Sequence, residues 1–254
     1  MKRRLCRIIT ACLLACLLTL PAAAAPVEEY DADGCLAMLT EPEDGVLPLT
    51  FYRGDDSQEE IPWQKGYAGK GVLLDGEGAC FRTDSALLAQ DSLSISLWVR
   101  SRNAADSVLF ALCSDDRDTQ TVTLFPCDEE YGLLLQVQYG TAVRRLYRPE
   151  AASAGLEEGW HFITVTWQAQ AMRLYVDGAL WAEETDIISP ARFAPKQMVL
   201  GGDIRTAHTG YFYGLVDEVR LYNYALDADR IAALAAEEPD PPATTTFVWS
   251  PLPS

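Results

Sequence analysis

Between residues 71 and 222 the chain is a succession of short apolar or alternating runs, each closed by a turn signal, with no helical period between them. The runs fall at 71–74, 79–82, 93–100, 107–113, 121–125, 133–139, 143–147, 161–167, 172–176, 197–200 and 214–222. Between them lie turn pairs such as Asp75-Gly76, Asp115-Asp116, Tyr131-Gly132, Glu158-Gly159, Asp177-Gly178 and Gly201-Gly202. A two-residue side-chain period places alternate residues on opposite faces of an extended strand, and Gly, Asp and Asn supply the backbone conformations that reverse it. The strands are short and close, with no helices between them. They predict an antiparallel sandwich or barrel. An earlier run at 47–52 stands within an acidic, turn-rich approach.

One segment is predicted to be helical. Asp227 is a good N-cap, Leu226 and Ile231 can close a hydrophobic staple around it, and Ala232 to Ala236 are favourable helix residues. After Glu237 the chain is rich in Pro and Thr, as an extended tail is.

The 254 residues carry 20 Lys+Arg against 37 Asp+Glu, a net charge of −17. That balance excludes nucleic acid and anionic membrane surfaces as partners, because both demand clustered basic residues. The first 24 residues have the form of a bacterial export signal: Lys2, Arg3 and Arg4, an apolar run to Leu20, then Pro21 and small residues with cleavage after Ala24. The run is too short for a membrane span, and Cys16 offers a lipoprotein site as the alternative. Cleavage would remove four positive charges and take the net charge to −21. Four cysteines would remain, Cys35, Cys80, Cys113 and Cys127, which allow two disulfides in any of three pairings, or buried thiols. A hairpin over 114–120 would set Cys113 opposite Thr121 or Val122 and not Cys127.

Four segments in fixed order carry a resemblance. They are Gly69-Lys70-Gly71-Val72-Leu73-Leu74-Asp75-Gly76; Leu93-Ser94-Ile95-Ser96-Leu97-Trp98-Val99; Gly159-Trp160-His161-Phe162-Ile163-Thr164-Val165-Thr166-Trp167 with Leu174-Tyr175-Val176-Asp177-Gly178; and the run from Phe212 to Asn223 through Val216-Asp217-Glu218-Val219-Arg220. Together they resemble the laminin-G-like branch of the concanavalin A-like lectin and glucanase superfamily, over about residues 67–236. The resemblance implies an all-β, two-sheet antiparallel jelly-roll sandwich, one sheet convex and one concave, closed by a short C-terminal helix. The division that follows is a signal at 1–24, an acidic approach with the first strands at 25–66, the jelly-roll core at 67–236 and a tail at 237–254.

Strand alternation then sorts faces. Ile95, Leu97, Val99, Ile163, Val165 and Trp167 are assigned to the core. Ser94, Ser96, Trp98 and Arg100, with Gln136, Gln138, Thr164, Thr166, Arg173 and Tyr175, fall on the opposite faces of their strands. If these strands share the concave sheet, Trp98, Gln136, Gln138, Thr164, Thr166, Arg173 and Tyr175 form a polar, aromatic surface suited to sugars, whose ring faces stack on aromatics while their hydroxyls bond to amides and guanidinium. Trp63 and Trp181 are alternative platforms. The resemblance also implies calcium, for which Asp75 and Asp217 are the candidate ligands.

Chemistry finds less support. The glycosidases of this superfamily carry two glutamates and an aspartate at alternate strand positions, and the nearest match, Glu184-Thr185-Asp186-Ile187-Ile188, has Ile188 in place of the second glutamate. Asp217 and Glu218 are adjacent, so regular strand geometry sends them to opposite faces. His161 and His208, 47 residues apart, belong to no metal or nucleophile signature. The expectation is a secreted, monomeric, non-catalytic domain that binds a glycan or an extracellular protein. The rivals are a hydrolase of the same fold and an adhesive surface component.

Overall fold

The computed structural model describes residues 35–39, 49–53, 57–58, 62–83, 91–102, 107–114, 119–151, 155–156, 158–202, 210–222 and 224–237; before residue 62, and at Thr83, backbone alone is described. The signal segment, most of the acidic approach, His208 and the Pro- and Thr-rich tail lie outside the described residues.

In chain order the strands are Cys35–Leu39 (β1), Leu49–Arg53 (β2), Ser57–Gln58 (β3), Trp63–Lys65 (β4), Lys70–Asp75 (β5), Cys80–Thr83 (β6), Ser92–Ser101 (β7) and Phe110–Cys113 (β8). There follow Gln120–Asp128 (β9), Gly132–Tyr139 (β10), Ala142–Leu146 (β11), His161–Gln168 (β12), Ala171–Val176 (β13), Ala179–Glu184 (β14), Gln197–Leu200 (β15) and Tyr213–Tyr222 (β16). Pro190–Phe193 (α1) is a single helical turn, and Ala228–Ala235 (α2) follows β16. Every strand pairing is antiparallel. One sheet runs β14-β13-β12-β7-β16-β5-β4, with β1 also on β16; the other runs β11-β10-β9-β8-β15-β6-β2-β3. This is the two-sheet jelly-roll sandwich.

The core between the sheets is built from the residues that alternation assigned to it. Ile95, Leu97, Val99, Ile163, Val165 and Trp167 meet Phe110, Leu112, Val122, Leu124, Leu135 and Val137 from the facing sheet, all buried. Each such side chain withdrawn from water contributes about 1.5–3 kcal/mol. Trp167 also donates its indole N–H to the Ile188 carbonyl at 2.8 Å, which seats the chain leaving β14. Cys113 pairs with Thr121, as the hairpin spacing predicts. Cys80 and Cys113 are buried and Cys127 is half-buried.

A second apolar cluster lies on the outer face of the first sheet. Trp98, Phe162, Tyr175 and Tyr222 are roofed by Leu226 and by Ile231 and Leu234 of α2. Asp227 caps this helix, accepting from the Arg230 amide at 2.7 Å. Among the described residues no helix is long and apolar enough to cross a membrane.

Regular alternation breaks at one point of β16. Val216 and Val219 both enter the core, and the register with β7 shifts between Asp217 and Arg220. Glu218 occupies a left-handed backbone conformation, φ 48°. This bulge corrects the expectation that Asp217 and Glu218 face opposite ways. Glu218 pairs with Arg220 at 2.7 Å, and Arg220 reaches toward Glu237 beyond α2, so the extra residue keeps both carboxylates on the outer side.

Candidate functional site at the seam of the two sheets

The surface predicted from strand faces is divided and covered. Trp98, Thr164, Thr166 and Tyr175 do share the outer face of one sheet, where Phe162 stands opposite Trp98 and Thr164 opposite Tyr175. All four are buried there, Trp98 at 8% and Thr164 at 0% exposure. Tyr67 lies flat on Trp98, ring centroids 3.5 Å apart and 11° from parallel. Arg173 reaches the margin and is paired with Glu183 at 2.7 Å. Gln136 and Gln138 stand on β10, in the other sheet. There Gln136 accepts from Arg145 at 3.2 Å, and Arg145 lies over Tyr131, whose ring meets Tyr147 edge-on. Alternation identifies the face of a strand but not its sheet, and the apolar stripe of α2 covers the one face that could have been shared. Trp63 is packed against the core.

Trp181 is different, and its position has a local cause. Asp177 (φ 50°) and Gly178 (φ 79°) make the tight turn their sequence predicts, and β14 folds back on β13. The turn is anchored twice. Asp177 accepts the Phe162 amide on Oδ1 and meets His161 Nδ1 with Oδ2, both at 2.8 Å. On its other side a Cβ at Gly178 would come within 3.1 Å of Ala232 in α2. Three residues on, the register slips: Tyr175 pairs with Leu180 but Leu174 with Ala182, so Trp181 is the extra residue of a bulge. Bulges re-aim a side chain and free backbone groups from the ladder.

The freed carbonyls are taken by an arginine from the opposite sheet. Arg148, just beyond β11, donates Nε to the Trp181 carbonyl at 3.0 Å and Nη2 to the Leu180 carbonyl at 2.9 Å, with its guanidinium carbon 4.2 Å from the centre of the Trp181 ring. Arg144 on β11 makes a second stitch, to Asp186 at 2.8 Å. Both strands are sheet edges, and the two arginines close the seam between them. On this seam opens a cavity of ≈ 360 Å³, lined by Arg148, His161, Asp177 and Trp181 with Leu133, Leu156, Val176 and Ala179. Gly155 completes the wall. A Cβ there would stand 2.8 Å from the Cys127 Cβ.

Sequence reasoning kept Trp181 as a platform, set His161 aside and read Asp177 only as a turn residue, and it missed Arg148. The four come from separate turns and strand ends, and no local spacing marks them.

A laminin G family model, described as concanavalin A-like lectin/glucanases superfamily, matches residues 75–232. The chain belongs to this superfamily. A comparison with curated proteins finds no match. Among solved structures, domain 4 of AbnA, a GH43 extracellular arabinanase from Geobacillus stearothermophilus solved with arabinotriose, is similar at TM-score 0.60 and 22% identity, over 74% of this chain and 86% of that one. The botulinum neurotoxin serotype C1 binding domain is similar at TM-score 0.55 and 11% identity, over 80% of this chain and 52% of that one. A neurotoxin type C structure, solved in work tying cell entry to two ganglioside molecules, has TM-score 0.54 and 10% identity, over 80% and 51%. The superfamily chain described here therefore spans about half the length of the toxin binding domains.

The superfamily's hydrolytic and calcium chemistry can be tested against these residues. Asp177 is the one carboxylate among the described lining residues, and both its oxygens are engaged. Glu184 accepts the amides of Thr185 and Asp186, Asp186 pairs with Arg144, and Ile187 is core. No described pair of carboxylates faces the cavity as glycoside hydrolysis requires. For calcium, Asp75 Oδ1 accepts the amides of Glu77 and Ala79, a turn role. Asp217 holds the Ala68 and Glu218 amides. Asp75 pairs with Tyr213, four residues from Asp217 along β16, roughly 13 Å at strand rise. The two cannot share an ion, and among the described residues no three His, Cys, Asp or Glu side chains gather as a metal site. Asp75 and Asp217 therefore do not form one shared calcium site.

Proposed function

We propose that the chain is an exported, monomeric, non-catalytic recognition domain that binds carbohydrate in the seam cavity. The observation that carries this reading is the bulge at Trp181. It sets an indole beneath a fixed guanidinium at the wall of a ≈ 360 Å³ cavity whose single described carboxylate is already spent. The volume lies in the range of small-ligand sites. Leu133, Val176 and Ala179 supply apolar walls for a sugar ring, and Arg148 and His161 supply polar contacts for its substituents. The arabinotriose held by domain 4 of AbnA and the gangliosides linked to the neurotoxin relative support the same class of ligand. Export rests on the signal-like first 24 residues.

A glycan array of the purified protein, run with and without calcium, tests this. Binding to a defined glycan set is expected in both conditions, and Trp181→Ala is expected to abolish it while leaving the thermal unfolding cooperative. Silence on every glycan would sink the carbohydrate reading and leave recognition of an extracellular protein. Turnover of a β-glucan would overturn the non-catalytic one.

A further inference from the structure

The cavity of this acidic chain is lined by an arginine and only one described carboxylate. The protein as a whole carries −17, yet the charged groups of the described lining are Arg148 and a His161–Asp177 pair. Arg144 ends on Asp186, Arg173 on Glu183 and Arg220 on Glu218, while Arg145 meets the Gln136 amide oxygen and the Tyr131 ring. Arg148 ends on two backbone carbonyls and an aromatic face, and among the described residues no carboxylate pairs with it. In a sequence with nearly two acidic residues per basic one, the guanidinium of the cavity touches no carboxylate among the described residues.

The geometry of that cation is specific. Nε and one hydrogen of Nη2 are taken by the Trp181 and Leu180 carbonyls. A guanidinium has five N–H donors, so three have no partner among the described residues, and one hydrogen each of Nη1 and Nη2 forms the other two-pronged edge of the same plane. The two carbonyl bonds and the indole fix the plane before any ligand arrives. A fixed two-pronged donor edge matches the two oxygens of a carboxylate, in the strong charge-assisted form of hydrogen bond. Asp177 cannot serve as that carboxylate, since its oxygens are held by the Phe162 amide and His161.

We propose that the seam cavity selects an acidic sugar, a glycan bearing a hexuronate-type carboxylate that docks on the free edge of Arg148. This deepens, and rests on, the reading of the cavity as a carbohydrate site. Calorimetric or NMR titration of the full chain with an oligogalacturonide, with the same oligomer as its methyl ester, with a neutral galactose oligomer and with an acidic peptide tests it. The methyl ester keeps the ring and hydroxyls and removes only the charge. The acid is expected to bind at least tenfold more tightly than ester or neutral oligomer, and the peptide not to bind. Arg148→Gln should bring the acid-to-ester ratio to about one, with calorimetric unfolding showing that the variant still folds. Equal binding of acid and ester by the wild-type protein would overturn the acidic preference and leave the carbohydrate reading standing. Binding of the peptide in place of any sugar would overturn both, and binding of none of the four would overturn the acidic-sugar proposal and leave the carbohydrate reading to the glycan array.

Discussion

Gly66 and Asp217 explain each other, and through them two of the four signature segments become one structural device. A Cβ at Gly66 would stand 2.2 Å from Asp217 Oδ2 and 2.4 Å from the Gly71 nitrogen, so the backbone passes the carboxylate where no side chain fits. Asp217 accepts the Ala68 amide at 2.9 Å and so holds the turn that lays Tyr67 on Trp98. Gly66→Ala is expected to cost about 2 kcal/mol or more in urea unfolding. Gly140→Asn, at φ 62° with nothing within 4 Å of the added carbon, should stay within about 1 kcal/mol of wild type. Burial raises the Asp217 carboxyl to about 7, opposed by its amide bonds and reinforced by Glu218. The folded state therefore keeps a proton that the unfolded chain has lost above its ordinary carboxylate range. This group's contribution is full below about pH 4 and is lost as pH rises toward 7, by at most about 1.4 kcal/mol per pH unit. Asp217→Asn should remove that component, so the wild-type minus variant stability should fall between pH 4 and 7. A flat difference across that window would show that the carboxyl titrates normally.

At the scale of elements, α2 decides which face of the sandwich can work. It places Ile231 and Leu234 on Trp98, Phe162, Tyr175 and Tyr222, converting a face that strand alternation reads as open into a second core. Ile231→Ala should cost about 2–5 kcal/mol, and loss of the cap in Asp227→Ala about 1 kcal/mol. Both are checked by chemical denaturation, with a red shift in tryptophan emission as Trp98 meets water. An unshifted spectrum in a destabilised Ile231→Ala protein would mean that the helix does not shield that face. The same element shows what a sequence can and cannot say. Strand positions are legible because a period of two survives in Leu93 to Val99 or Ile163 to Trp167 whatever the neighbours are. The helix is legible from Asp227 and its staple, but not its docking place, since an apolar stripe does not name the face it covers. Nor is the sheet of β10 legible, which sent Gln136 and Gln138 to the wrong neighbours. Ala179 to Glu184 carries no alternation; its pairing follows from the Asp177-Gly178 turn, and its bulge at Trp181 from nothing local. Arg148 becomes a site residue only when the edges of two sheets meet.

For the whole molecule, the seam cavity and the net charge act at different ranges, and their opposition is measurable. The carboxylate of an acidic sugar would approach a protein of charge −17, or −21 if the signal-like first 24 residues were removed, and be repelled over distances comparable with the Debye length. That length is roughly 30 Å at 0.01 M salt and 8 Å at 0.15 M. Once bound, it would meet a guanidinium at hydrogen-bond distance, where screening by ions is weak. Salt should therefore ease arrival more than it loosens the contact. In stopped-flow binding of an oligogalacturonide, the association rate is expected to rise several-fold between those two ionic strengths, with a smaller change in the dissociation rate. Most charged ligands show the reverse, because steering by an oppositely charged site speeds their encounter at low salt. An association rate that falls with salt would mean that the field near the seam is positive well beyond Arg148, and that the acidic surface elsewhere takes no part in selecting the ligand. The methyl ester, having no charge to repel, should associate at a rate nearly independent of salt, which separates the field of the protein from any effect of salt on the cavity itself.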